Sequence, residues 1–273
     1  MIGAVIGDIA GSVYEWNNIK TKEFTIFGWH GGKRCRFTDD TVMTMAVAKA
    51  VLVSRDDRSD LSENAAMYLQ LLARSYPGAG YGRRFREWMY SDDPQPYWSF
   101  GNGSAMRVSP VAYAARDLDD ALAMSDAVTR VTHDHPEGLK GARAVTACIW
   151  LALHGGTKEE IRDLAEKEYY ELNRTLDEIR PRYEFRSSCQ ESVPQAIEAF
   201  LESEDFEDAI RNAISIGGDS DTIAAIAGSI AEAYYGAPDG LREKAEERLD
   251  PELLGILRDF EDRYPAKRTG QIS

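Results

Sequence analysis

The stretch Ile214–Gly236, ISIGGDSDTIAAIAGSIAEAYYG, places a glycine pair and two aspartates directly before an alanine-rich apolar run. Four consecutive oxygen-bearing residues, Asp219 to Thr222, stand where a helix over residues 221–235 is expected to begin. A single aspartate or serine is enough to cap the N-terminus of a helix. Capping therefore accounts for one of these four side chains and leaves the others to be explained.

A second stretch, residues 35–52 with the sequence CRFTDDTVMTMAVAKAVL, repeats the arrangement with Thr-Asp-Asp-Thr at residues 38–41. Taken alone, each motif can be read as a helix cap with acidic residues in the first turn. Carboxylates brought together without a cation would repel one another and raise one another's pKa values, and a divalent metal removes that conflict. Aspartate and threonine oxygens are hard ligands, which favours Mg²⁺ or Mn²⁺ and leaves Ca²⁺ possible.

Helical periodicity dominates the chain and predicts an all-α fold. The predicted helices cover residues 2–15, 40–54, 61–74, 104–116, 118–130, 138–153, 158–180, 191–202, 205–214, 221–235, 239–248 and 251–261. The best strand candidate is residues 22–27, KEFTIF, and no stretch resembles a linker. We therefore expect one domain over residues 1–265, followed by a loose tail at residues 266–273.

Glycines recur every four residues in the first predicted helix, at Gly3, Gly7 and Gly11, and small residues do so in the helix over 221–235, at Ala224 and Gly228. A glycine inside a helix costs about 1 kcal/mol relative to alanine, so packing has to offset it. A stripe of small residues lets a second helix backbone approach closely. The spacing therefore predicts that both helices are central to the fold.

The composition limits the classes of partner. With a formal net charge of −14 the 273-residue chain is an unlikely nucleic-acid binder, because phosphate backbones require a basic face. An anionic small molecule can still be bound by local backbone N–H groups and one or two arginines. The N-terminus has no basic leader region, and no apolar run reaches the about 18 residues of a membrane span. We expect a cytoplasmic protein without membrane contact; the oligomeric state stays open, and a monomer is compatible with the sequence.

Five motifs occur in a fixed order along the chain: GDIAGSVYE at 7–15, FTDDT at 37–41, GNGSAMR at 101–107, TH at 132–133 and GGDSDTIAAIAG at 217–228. In this order and over nearly the whole chain they resemble the ADP-ribosylglycohydrolase family, which includes the dinitrogenase reductase-activating glycohydrolases. The resemblance implies a compact all-α orthogonal helical bundle with a two-metal centre that usually holds Mg²⁺ or Mn²⁺.

The resemblance also assigns residues and a reaction. The implied metal ligands are Thr38, Asp39, Asp40, Asp219, Asp221 and Thr222. The implied reaction is metal-dependent hydrolysis of the glycosidic bond that links ADP-ribose to a protein side chain, arginine or serine, or to a small acceptor. Asp219 or Asp221 is expected to act as general base, and Glu15 to assist the leaving group or gate the site. Asp8 is expected to have a structural, supporting role.

The glycine-rich stretch at 101–107 lacks the third glycine of a dinucleotide fingerprint. It can be read as a plain helix start capped by Ser104, or as a loop whose N–H groups face a diphosphate. By the resemblance, the candidate contacts to ADP-ribose are Asn102, Gly103, Ser104 and His133. Arg107 is expected to be structural if it does not contact the ligand.

Other side chains and other functions remain open from sequence alone. Tyr97, Trp98 and Phe100 are candidates for stacking on adenine, and Asp92 with Asp93 forms either an acidic site for an arginine acceptor or an exposed turn. A module that binds ADP-ribose without turnover is one alternative function. A magnesium-dependent phosphohydrolase is another, although the facing carboxylate or His-Asp helix pairs that such enzymes use are not found near the two motifs.

Overall fold

A computed structural model describes residues 1–265 and confirms the all-α prediction. Fourteen α-helices lie in this part of the chain: α1 (Ile2–Gly11), α2 (Asp39–Val53), α3 (Leu61–Ser75), α4 (Arg83–Met89), α5 (Ser109–Ala114), α6 (Leu118–Arg130), α7 (Pro136–Leu153), α8 (Lys158–Glu168), α9 (Leu176–Ile179), α10 (Cys189–Leu201), α11 (Phe206–Ser215), α12 (Ser220–Tyr235), α13 (Asp239–Glu246) and α14 (Pro251–Arg263). The predicted tail at residues 266–273 lies outside the described residues.

The strand predicted at residues 22–27 is wrong. This segment forms turns, with the Gly28 N–H donating to the Thr25 carbonyl over 3.0 Å and Phe27 at a φ of 60°. The sheet structure within residues 1–265 is instead a hairpin of two short antiparallel strands, β1 (Trp29–His30) and β2 (Lys33–Arg34). An apolar run without a partner strand has no ladder to join, so its alternation alone does not make a strand.

Three predicted helices differ clearly from the observed ones, whereas the others agree to within two residues at each end. The first ends at Gly11, four residues earlier than predicted. The helix predicted over 158–180 is two helices, because a capping box formed by Thr175 and Glu178 starts α9 anew. The helix predicted over 104–116 is reduced to α5, preceded by a 3₁₀ turn at Asn102–Ser104. The short helix α4 was not predicted, because its seven residues are too few to show a periodicity.

The glycine stripe packs as predicted. A Cβ added at Gly7 would overlap the Ala224 carbonyl, and one added at Gly3 would overlap the Gly228 carbonyl. The backbones of α1 and α12 are therefore in direct contact, and every residue of α1 is buried. Because Gly11 lies equally close to the start of α12, this contact fixes the C-terminal half of α1 beside the acidic motif of α12.

Helix α12 is the central element of the bundle, with α1, α7, α10 and α11 packed around it and residues 220–233 all buried. Helix α2 contacts both α1 and α12. The starts of the two helices that carry the acidic motifs are thereby held next to α1. None of the helices in residues 1–265 has both the length and the apolar character needed to cross a bilayer.

Candidate metal centre

Helix α1 and the starts of α2 and α12 bring carboxylates from three parts of the chain together. Asp8, Asp40 and Asp221 each offer an oxygen, and these oxygens lie within 4.8 Å of one another. Glu15, Asp219 and Asp221 form a second group under the same limit. Asp221 therefore belongs to both groups and links them into one cluster of five acidic residues.

Asp8 anchors the start of α2. Its carboxylate is fully buried and accepts hydrogen bonds from the backbone N–H of Thr38 at 2.9 Å and of Thr41 at 3.0 Å. The hydroxyls of both threonines donate to it as well, that of Thr38 over 2.6 Å. Burial raises the pKa of Asp8, and these hydrogen bonds partly counteract the rise. Asp8 thus holds the start of α2 and is also a member of the cluster.

Asp40 has one carboxylate oxygen that is satisfied and one that is not. Its Oδ2 accepts a hydrogen bond from the Thr222 hydroxyl at 3.2 Å and a longer one, 3.4 Å, from Thr38. Its Oδ1 is buried and has no hydrogen-bond partner among the described residues. An unpartnered buried carboxylate oxygen is costly, and a bound cation would satisfy it.

The electrostatics of the cluster favour a cation. Burial, together with the charges of neighbouring carboxylates, raises the pKa values of Asp39, Asp40 and Asp221 well above the ordinary range. Burial is also the main reason why the pKa of Asp219 rises to about 6 and that of Glu15 to about 8. A donor set of carboxylates and threonine hydroxyls, with one oxygen unpartnered, fits a hard divalent cation.

The turn before α12 is held in place by side chains from elsewhere in the chain. Gly217 and Gly218 have φ values of 74° and 76°, a region that favours glycine. The Asn18 amide pairs with the Gly218 backbone, accepting from its N–H at 2.8 Å and donating to its carbonyl at 3.0 Å. Next to this turn, the Asn102 amide donates to Asp219 over 2.8 Å. Asp219 is therefore oriented by loops and not by an intrahelical cap.

Asp39 is the one predicted metal ligand with a carboxylate outside both groups, and Thr38 and Thr222 contribute hydroxyls that touch Asp40. The half-buried Asp39 side chain faces Gly80, where a Cβ would lie 2.8 Å from its Oδ1. The charges of Asp221 and Asp8 contribute to its raised pKa, which places it beside the cluster.

The predicted ligand loop lies against this cluster, but its side chains are used in different ways. The buried Asn102 side chain bonds Asp219 and, at 3.0 Å, the Ser192 hydroxyl. The Ser104 hydroxyl points inward and donates to the Gly138 carbonyl at 2.9 Å, and the residue as a whole is buried. Gly103 faces the ring of His133, whose Nε2 would be 3.5 Å from a Cβ at that position.

A cavity of about 360 Å³ adjoins this loop. Its lining residues are Arg84, Ser99, Phe100, Gly101, Phe185, Arg186, Ser187, Ser188 and Glu191. Of the three aromatic candidates, Phe100 lines the cavity, whereas Tyr97 and Trp98 pack against His133 and His135 respectively. Sequence reasoning missed Arg84 and Arg186, because nothing local marks two distant arginines as neighbours of one loop. A larger cavity, about 1050 Å³, is lined by residues 171–198 and includes none of the clustered carboxylates.

Comparison with known proteins agrees with this geometry. The family model described as ADP-ribosylglycohydrolase matches residues 1–269. ADP-ribosylhydrolase ARH3 of Mus musculus is 27% identical, over 93% of this chain and 88% of its own length. The ADP-ribosyl-[dinitrogen reductase] glycohydrolase of Rhodospirillum rubrum is 25% identical, over 92% and 90%.

Two further similarities complete the comparison. The ADP-ribosylarginine hydrolase Tri1 of Pseudomonas putida is 28% identical, over 86% of this chain and 69% of its own length. A solved structure described as an ADP-ribosylglycohydrolase-related protein complex superposes with a TM-score of 0.67 and covers 96% of both chains, which at 23% identity shows a shared fold. With a family model that matches nearly every residue, the chain belongs to the ADP-ribosylglycohydrolase family.

Proposed function

We propose that the protein is a metal-dependent hydrolase that releases ADP-ribose from a modified side chain or a small acceptor. The observation that carries the proposal is the position of the buried Asp221, which belongs to both groups of clustered carboxylates. A carboxylate that belongs to both groups can bridge a pair of adjacent cations. Membership of a family of ADP-ribosyl hydrolases supports the same reading.

The proposed ligands of two divalent ions, Mg²⁺ or Mn²⁺, are those expected from sequence: Thr38, Asp39, Asp40, Asp219, Asp221 and Thr222. When bound, such ions polarise hydroxyl oxygens and make a bound water more acidic. Asp8 supports the centre by holding Thr38 and Thr41 at the start of α2. The unpartnered Oδ1 of Asp40 supports its assignment as a ligand.

The roles proposed for the acidic side chains follow from their surroundings. Cleavage of a glycosidic bond builds positive charge on the ribose, and a nearby general base activates water. Asp219 is the better-oriented candidate base, because Asn102 fixes one of its oxygens. Glu15 lies against Asp219 and Asp221 in the second carboxylate group and is proposed to assist the leaving group or to gate the site.

The 360 Å³ cavity beside the glycine-rich loop is the proposed site for the ADP portion of the substrate. Arg84 and Arg186 are the proposed partners of the diphosphate, and binding would draw Arg186 from its ion pair with Glu191, 3.4 Å away. Gly103 lets a ligand approach the backbone closely, and His133 lies beside it. Phe100, which is 46% exposed at this cavity, is the candidate for stacking on adenine.

The acceptor is proposed as an arginine or serine side chain or a small molecule. The names of the relatives point to different acceptors: one acts on dinitrogen reductase and another on ADP-ribosylarginine. Asp92 and Asp93 give little support to an arginine site of their own. Both are exposed in a loop, and the Asp93 carboxylate accepts a hydrogen bond from Gln95 at 2.7 Å.

A hydrolysis assay tests the proposal. Peptides carrying ADP-ribose on arginine or on serine are incubated with the protein in Mg²⁺, Mn²⁺ or EDTA, and free ADP-ribose is measured. Metal-dependent release from one peptide supports the hydrolase and identifies the linkage.

The same assay separates the alternatives. Binding of ADP-ribose by calorimetry without release from any peptide or small ADP-riboside would indicate a binding module. Release of AMP or phosphate in place of intact ADP-ribose would indicate a phosphohydrolase.

A further inference from the structure

Arg107 is a buried cation without an acidic partner. It is 1% exposed, and its Nη2 donates to the Thr132 hydroxyl at 2.7 Å and to the Val128 carbonyl at 3.2 Å. Within residues 1–265 no carboxylate lies within ion-pair distance of it, and burial lowers its pKa to about 10. Burying a charge against neutral groups alone is costly. Such a residue needs a reason beyond packing.

The hydroxyl of Thr132 connects Arg107 to His133. Its oxygen lies 2.7 Å from Arg107 Nη2 and 2.7 Å from His133 Nδ1, whereas the nearest competing acceptor, the Thr129 carbonyl, is 3.4 Å away. Because the arginine can only donate, it occupies a lone pair of the hydroxyl and polarises its proton. The shorter distance directs that proton to Nδ1.

This arrangement favours a neutral His133 ring with its proton on Nε2. A second buried cation beside Arg107 is unfavourable, and burial together with Arg107 and Arg84 holds the pKa of His133 well below its usual range. Nε2 has no hydrogen-bond partner among the described residues and faces the loop, 3.5 Å from a Cβ placed at Gly103.

We propose that Arg107 and Thr132 are positioning residues that fix His133 as a neutral Nε2–H donor aimed over the loop at residues 101–103. The group it would meet is an acceptor oxygen of a bound phosphate. The identity of that ligand as ADP-ribose rests on the proposed function, whereas the tautomer itself does not.

Nitrogen-15 NMR of the free, histidine-labelled protein at pH 7 tests the tautomer. The chain has four histidines, so a His133→Ala spectrum assigns the ring. We expect a neutral ring with the proton on Nε2 and an Nδ1 that accepts a hydrogen bond. A charged ring, or a proton on Nδ1, would overturn the proposal from the wild-type spectrum alone.

Substitutions at Thr132 test the hydrogen bond from its hydroxyl to Nδ1 of His133. Thr132→Val should move the Nδ1 signal to that of a nitrogen without a hydrogen bond, and Thr132→Ser should restore it. Thr129→Val is the matched control, because the Thr129 hydroxyl is buried nearby and has no partner within residues 1–265, and it should leave the signal unchanged. An Nδ1 signal identical in wild type and Thr132→Val would overturn the proposed role of Thr132.

Calorimetry with ADP-ribose tests the positioning role. Thr132→Val should weaken binding about fivefold, the effect of one misaligned hydrogen bond, with Thr132→Ser and Thr129→Val near wild type. A wild-type affinity for Thr132→Val would overturn that role. If the wild-type protein binds no ADP-ribose, the proposed function fails, and the NMR result still decides the tautomer independently.

Discussion

The two acidic motifs have nearly the same composition but are supported in different ways. At the start of α2, the backbone N–H groups of Thr38 and Thr41 are satisfied by Asp8, a carboxylate from another helix. At the start of α12, the N-cap residue Asp219 makes no side-chain cap, and loop residues such as Asn102 hold it. One motif is fixed by helix–helix packing and the other by a turn.

The two kinds of support differ in how far the side chains they hold can move. The contact between α1 and α12 has no space for even one extra carbon, so Asp8 cannot move relative to the bundle. The turn at Gly217–Gly218 depends on hydrogen bonds to loop side chains, which are individually worth about 1 kcal/mol. We infer that the α2 motif is the rigid half of the site. Asp219 and the turn before it are the part that a bound ion can rearrange, whereas Asp221 is held by the packing of Gly11 against the start of α12.

The largest loss of activity is expected on removing Asp221, the carboxylate that belongs to both groups of the cluster. Asp221→Ala should reduce ADP-ribose release by more than about 10³-fold at saturating Mg²⁺, because loss of a shared ligand affects both ions and a candidate base. Asp39→Ala should also abolish turnover, and both variants should stay folded by circular dichroism. The exposed Asp56→Ala is the control. Near-wild-type activity of either ligand variant would contradict the metal assignment.

The next largest effect is a loss of stability when the packing of α1 against α12 is disrupted. Gly7→Ala should lower the free energy of unfolding by more than about 3 kcal/mol, because its Cβ would overlap the Ala224 backbone. Urea unfolding measures the change. Gly255→Ala in α14 is the matched control: no atom of the described part of the chain lies within 4 Å of a Cβ at this position, so the substitution should stabilise the protein by about 0.5–1 kcal/mol. Equal effects of both substitutions would show that α1 and α12 are not in backbone contact.

Smaller effects are expected on removing the side chains that hold the two motifs, Asp8 for the start of α2 and Asn102 for Asp219. Asp8→Ala should destabilise the protein by about 2–3 kcal/mol, because two backbone N–H groups and two hydroxyls lose a buried acceptor. Asn102→Ala should cost about 1 kcal/mol but should weaken Mg²⁺ binding, because Asp219 loses its orienting partner. Chemical unfolding and metal calorimetry separate the two quantities. A larger stability loss for Asn102→Ala would reverse the assignment of the rigid half.

The smallest effect is the pH dependence of stability. The folded-state pKa values of Asp219, about 6, and Glu15, about 8, lie above the unfolded values of about 4. The folded protein therefore binds more protons than the unfolded chain in this window, and stability falls as the pH rises from about 4 to about 8.

A bound cation replaces those protons. The increase in melting temperature on adding Mg²⁺ should therefore be a few degrees larger at about pH 8 than at about pH 5. An increase that is equal at both pH values would argue against these carboxylates as the binding site.

The sequence alone determined the helical class, the central position of α1 and α12, and the two acidic motifs. Each of these is encoded locally, by a period of about 3.6 residues, by glycines four apart, or by consecutive oxygen-bearing residues. The order of the five motifs along the chain indicated the family before any contact was known.

Only the tertiary structure decided which side chains meet. Asp8 accepts the N–H groups of α2, Asn18 holds the turn before Asp219, and Thr132 connects Arg107 to His133. The tertiary structure also decided that the Ser104 hydroxyl points into the core and that residues 22–27 do not form a strand. These hydrogen bonds, like strand ladders, join residues that are distant in sequence. A local pattern can therefore indicate which residue is involved but not which partner it meets.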